Sequence, residues 1–171
     1  MASRLLAVLA LLAAAPFVRA EPLDLTNAKN EEAATVLIAK FFENIGLDVY
    51  DKDNEAFGLR SGRFKLLIIP YFKPEDGCRI NAYVSFPGRK ENLKDVKAMH
   101  LVNEINNEFN FAAFCFDKDG DLCFRFTLVL DKKLDAKVVQ RWLRHIENQT
   151  EGILEGKHDQ LEPFFAKKTG K

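Results

Sequence analysis

Apolar residues recur along this chain in two rhythms, one helical and one strand-like, and the switches between them outline its elements. After a short leader, Pro22 to Asn27, residues Ala33, Ala34, Val36, Leu37, Phe41 and Ile45 return at helical spacing, with Glu31, Glu32 and Lys40 opposite. This spacing predicts an amphipathic helix from about Lys29 to Asn44. The two glutamates fall in its first turn, where the helix dipole favours them, and Gly46 is placed to stop it. Three strands are predicted next: Glu55 to Arg60, Phe64 to Phe72 and Cys78 to Phe86. Ser61-Gly62 and Pro74-Glu75-Asp76-Gly77 supply the turns between them. The near-continuous apolar run Leu66, Leu67, Ile68, Ile69 marks the middle strand as central and covered. A second helix, about Leu93 to Phe109, carries Leu93, Val96, Leu101, Val102, Ile105 and Phe109 on its buried side. Strands Phe111 to Asp117 and Leu122 to Leu130 then flank Lys118-Asp119-Gly120-Asp121, and an Asp-Gly step between alternating apolar runs signals a hairpin. The last helix runs from about Ala136 to Ile153, with Asp135 as N-cap and Val138, Val139, Trp142, Leu143 and Ile146 as its stripe. The resulting order is α-β-β-β-α-β-β-α. It predicts an α+β sandwich, an antiparallel sheet packed with helices, and removes the fold-level case for a nucleotide crevice between parallel strands.

Composition narrows the class. The chain has 171 residues, 47% of them hydrophobic, enough for one domain with a proper core. Residues 1–20 stand apart: a short basic start, an apolar run from Leu5 to Val18, then Val18-Arg19-Ala20 with small residues where a signal peptidase reads. This is a secretory signal pattern with cleavage expected before Glu21, and the run falls short of the roughly 20 residues that span a bilayer. Export to the periplasm or medium, without stable membrane insertion after cleavage, is therefore expected. Losing Arg4 and Arg19 leaves 23 basic against 25 acidic residues, a near-neutral chain, which argues against nucleic acid as a partner. The last residues, Lys167 to Lys171, read as a frayed basic end.

Candidate chemistry is sparse. Asp117-Lys118-Asp119-Gly120-Asp121 resembles part of a calcium loop, but its glycine comes too early and Leu128 stands where the bidentate glutamate belongs, so a hydrated turn is expected and no metal. His100, His145 and His158 share no metal spacing, and no nucleophile, metalloprotease or phosphate-loop motif occurs. No catalytic residues and no cofactor are expected, and the protein reads as a non-enzyme. Cys115 and Cys123 flank the hairpin turn. A three-residue loop sets them opposite each other; in a non-hydrogen-bonded pair, with Cα atoms about 4.5 Å apart, a strained disulfide is within reach. A two-residue loop pairs Cys115 with Phe124 instead. Free thiols acting as small apolar side chains are the preferred reading, with the Cys115–Cys123 bridge kept open. Asn103 and Asn106 share one helix face and flank the stripe that meets the hairpin. Their amides either bond to strand or loop backbone, the preferred reading, or contact a polar ligand. Phe114, Phe116, Phe124 and Phe126 share one face of the hairpin, which is core unless the helices leave it open, when it becomes a dimer seam or a groove for an apolar peptide.

The segment Leu101-Val102-Asn103-Glu104-Ile105-Asn106, the hairpin from Phe111 to Leu130 and the helix around Trp142 together resemble the YbjN family, bacterial proteins labelled sensory transduction regulators. The resemblance covers most of the chain and assigns residues 21–157 to one YbjN-like domain followed by a tail, 158–171. It implies a fold like that of the type III secretion chaperones, small α+β sandwiches that bind unfolded segments or dimerise. It implies a regulatory or chaperone-like binding module whose partner is a protein, a peptide or a second copy of the chain. It implies no catalytic residues. The export signal departs from a cytoplasmic role and favours the cell envelope. A small-ligand sensor with an apolar pocket between helices and sheet is the alternative.

Overall fold

A computed structural model describes residues 21–109 and 112–166 of this protein. The expected signal peptide, 1–20, the strand start at Phe111 and the end from Lys167 lie outside the described residues. The elements are β1 (Leu23–Asp24), α1 (Glu31–Asn44), β2 (Asp48–Tyr50), β3 (Phe57–Ser61), β4 (Phe64–Lys73), β5 (Gly77–Phe86), α2 (Val96–Glu108), β6 (Ala113–Phe116), β7 (Leu122–Leu130), β8 (Lys133–Leu134), α3 (Ala136–Gly156) and α4 (His158–Leu161). The class is α+β, as expected. Six strands form an antiparallel sheet in the order β2-β3-β4-β5-β7-β6, and β1 with β8 forms a separate pair. The element order is richer than the periodicity indicates, because β1, β2, β8 and α4 are too short to carry a readable period.

Each of the three long helices begins where a side chain can accept an orphan N–H. Asn30 Oδ1 accepts from the Ala33 N–H at 2.9 Å, and Asp135 Oδ1 from the Lys137 N–H at 2.7 Å. Asp95 accepts from the Lys97 and Ala98 N–H groups, so α2 starts after it, and Leu93 sits in a preceding 3-10 turn, Lys90–Lys94. That later start turns the helix, and its buried face is Ala98, Leu101 and Ile105, while Val96 is 69% exposed. In α1 the buried face is Ala34, Thr35, Ile38, Ala39, Phe41 and Phe42, and the expected stripe members Val36 and Leu37 are exposed.

The sheet sets one face on the core. Along β4, Phe64, Leu66, Ile68, Pro70 and Phe72 are buried while Lys65, Leu67, Tyr71 and Lys73 are exposed, the period-two alternation of a sheet covered on one side. The middle strand is therefore central but covered on one face only, against the expectation of a strand buried on both. Helix side chains and the inward strand residues make one core, from Ile38 and Phe42 of α1 through Ile80 and Phe126 to Trp142, Leu143 and Ile146 of α3.

The described part of the expected tail is folded onto this core. Leu161 and Phe164 are buried, and the Ala166 N–H donates to the Pro87 carbonyl. Buried Asn92 ties the arrangement together, its Nδ2 donating to the Gly120 carbonyl at 3.1 Å and the Phe164 carbonyl at 2.8 Å.

Candidate functional site

The hairpin closes with the three-residue loop. The Asp117 N–H donates to the Asp121 carbonyl and Gly120 takes φ +85°. The aspartates serve the turn: Asp117 Oδ1 accepts from the Asp119 and Asp121 N–H groups, and Asp121 Oδ1 from the Gly88 N–H. No group of three or more metal-type ligands occurs among the described residues.

Asn106 and the hairpin phenylalanines occupy structural places. Asn106 Nδ2 donates to the Phe114 carbonyl at 3.0 Å, and its Oδ1 accepts from the Phe114 N–H at 2.7 Å. One carboxamide thus satisfies both backbone groups that Phe114 turns away from β7, as a neighbouring strand would. Asn103 is exposed. Phe114, Phe124, Phe126 and Trp142 are buried and Phe116 is half-buried. The Phe114 and Phe124 rings meet edge-on at 3.8 Å, and Phe116 packs against Phe164. The helices seal this face, so it offers neither a groove nor a seam.

Cys115 and Cys123 are register partners, and all three cysteines are free. Because Phe114 directs its backbone groups to Asn106, the cysteine rung exchanges its own backbone bonds with β7. It is a hydrogen-bonded pair, the reverse of the pair type expected for a bridge. Cys115 is exposed, whereas Cys123 is buried with Sγ 3.1 Å from Ser85 Oγ. Burial raises both thiols above their ordinary range, and pushes Cys78 up to about 11.

The outward face of the sheet is the feature that sequence reasoning missed. Among the described residues it is open, and it segregates aromatic residues by chemistry. Every phenylalanine on the sheet strands points inward, whereas all three tyrosines, Tyr50, Tyr71 and Tyr83, stand on the open face. A phenolic hydroxyl favours the wetter side. Each tyrosine has an arginine beside it. Arg60 lies 5.0 Å from the Tyr50 ring centre and Arg79 5.1 Å from that of Tyr71, and Arg125 is the cross-strand partner of Tyr83. Gly58 opposes Tyr50, and a side chain there would run into the ring. Between them, Leu67 is 47% and Val129 75% exposed. Asn81 is buried at the centre, accepting from Thr127 Oγ1 at 2.8 Å and donating to the Tyr83 hydroxyl at 3.4 Å. Burial and the neighbouring Tyr83 hydroxyl raise the Tyr71 phenol, so it stays a neutral hydrogen-bonding group. The only advance signal was the placement of the three tyrosines and their arginines on alternate strand positions.

The free edge of β4 beside this face is blunted. Pro70 of β4 has no N–H to present beyond the end of β3, and the next N–H of the same parity, Phe72, donates to Glu31 of α1 at 3.3 Å. Such edges discourage strand addition. A shallow cleft of about 510 Å³ opens at the start of α1, lined by Asn27, Asn30, Asn54, Val36 and Leu37 among others. No helix among the described residues is long and apolar enough to cross a membrane.

A family model, YbjN, described as "Putative bacterial sensory transduction regulator", matches residues 34–155. The match spans α1 through most of α3, hence the whole six-stranded sheet and its open face, and it supports a regulatory module. No curated protein matches the chain.

Proposed function

This chain belongs to the YbjN family, and from that premise we propose that it is a non-enzymatic regulatory module of the bacterial cell envelope that holds a protein or peptide partner on the open face of its sheet. The observation that carries the reading is the uncovered face itself, with Leu67 and Val129 exposed among three tyrosine–arginine pairs. Tyrosine and arginine are the side chains most enriched where proteins bind each other, because each combines a broad apolar surface with polar directionality. With the phenylalanine face sealed, the free stretch of β4 blunted and Asn106 capping β6 at Phe114, side-chain docking on the open face is favoured over both an apolar groove and strand addition. The chaperone-like character is retained in this form: a rigid sheet backed by helices presents a fixed surface to a more flexible partner. The signal pattern in residues 1–20 supports export, with the partner in the periplasm or outside the cell.

Site-directed photocrosslinking in a living bacterium tests this. A photoreactive phenylalanine at position 67 or 129 of the full chain should yield a discrete covalent adduct with another protein. The same probe at position 138, exposed on α3, should not. Adducts from position 138 alone, or none from the open face, would refute the reading.

A further inference from the structure

The open face carries a charge bias that the neutral chain as a whole conceals. Its outward strand positions hold Arg60, Lys65, Lys73, Arg79 and Arg125 against a single carboxylate, Asp48. Two of these cations are already paired, Arg60 with Asp48 at 2.8 Å and Lys73 with Asp76 at 3.6 Å. Lys65, Arg79 and Arg125 are exposed and have no carboxylate within ion-pair distance among the described residues. Arg79 and Arg125 flank the centre of the face. Arg125 opposes Tyr83 on β5, four residues along from Arg79, and Val129, opposite Arg79, lies four residues along from Arg125. Four strand rises along the sheet and one strand spacing across it separate the Cα atoms of the two arginines by about 14 Å, with Tyr83, Asn81 and Thr127 between them. Asn81 is held by Thr127 and Tyr83, so the floor between the arginines is preorganised.

Resting on the proposed function above, we infer that the partner segment held by this face is acidic: it brings carboxylates to Arg79 and Arg125 and apolar side chains to Leu67 and Val129. Arginine presents a planar fork of donors matched to carboxylates, and its stacking on Tyr71 restricts the Arg79 side chain beforehand. At the backbone level this spacing fits carboxylates about four residues apart in an extended segment, or about two and a half turns apart in a helix. A polypeptide fits better than nucleic acid: three unpaired cations set among exposed Leu67 and Val129 do not form a continuous phosphate track.

The probe is a fluorescein-labelled peptide of about 16 residues with glutamate and leucine at amphipathic spacing, alongside versions with glutamine or lysine for every glutamate. With the full chain, the glutamate peptide should bind saturably, the glutamine version should bind about tenfold or more weakly, and the lysine version should not bind. The double substitution R79E/R125E should reverse the order, losing the glutamate peptide and gaining the lysine one; that reversal cannot come from misfolding. Raising salt from about 0.1 to about 1 M, which shortens the screening length from about 10 to about 3 Å, should weaken the glutamate peptide. Equal binding of glutamate and glutamine peptides, no saturable binding, or preferential binding of a single-stranded oligonucleotide or of phosphatidylglycerol vesicles overturns the inference. If adducts at positions 67 and 129 persist unchanged in R79E/R125E, the open-face function stands and the acidic partner falls.

Discussion

At position 106 a single carboxamide stands in for a strand. Its two hydrogen bonds with Phe114, at 3.0 and 2.7 Å, finish the edge of β6, and they also decide that the Cys115–Cys123 rung is the hydrogen-bonded one. Substituting Asn106→Ala leaves a partly buried donor and acceptor unpaired, which costs about 1–3 kcal/mol. Asn103→Ala, at an exposed position, should stay within about 0.5 kcal/mol. Urea unfolding of the two variants separates these outcomes, and equal midpoints would show that Asn106 contributes nothing to the edge. The asparagine pair was visible in the sequence, and so was its structural meaning. Which member serves was not, because that depends on where β6 passes α2. The arginines beside Tyr50 and Tyr71 were equally present in the sequence but silent, since cross-strand neighbours are set by register and not by spacing along the chain.

Element by element, the legible parts were the long ones. The hairpin, β4, β5 and the cores of the three main helices announce themselves through period and turn residues. The buried faces of α1, α2 and α3 were misread at Val36, Leu37, Val96 and Val138, because an apolar residue on a helix is counted into the stripe whether or not the sheet can cover it. The end of the chain was misread for a different reason. His158 to Phe164 forms short turns with no period, yet Leu161 and Phe164 are buried, Phe164 against Phe116 with ring centres 6.3 Å apart. Phe164→Ala should therefore cost about 3–5 kcal/mol, and chemical unfolding should show it as a lowered midpoint with an unchanged slope. An effect within about 0.5 kcal/mol would mean that this segment is not part of the cooperative unit.

For the whole molecule, the decisive fact is that every helix among the described residues covers the same face of the sheet. If the other face is a binding surface and not a half-formed core, polar substitution there should be tolerated. Leu67→Lys is expected to shift stability by no more than about 0.5 kcal/mol while abolishing the adducts of a probe at position 129, and Val129→Lys should do the same to those of a probe at position 67. A loss of several kcal/mol, read by urea unfolding, would place those residues in a packed contact. The sequence by itself determined the α+β class, the antiparallel hairpins, the helix cap at Asp135 and the family, because each is written in residues close together along the chain. Only the tertiary structure decided which face is open, that the phenylalanines are sealed and the tyrosines presented, and that the unpaired Arg79 and Arg125 flank one site. Those outcomes follow from which side of a twisted sheet the helices fold against, a choice made by long-range packing that no local pattern encodes.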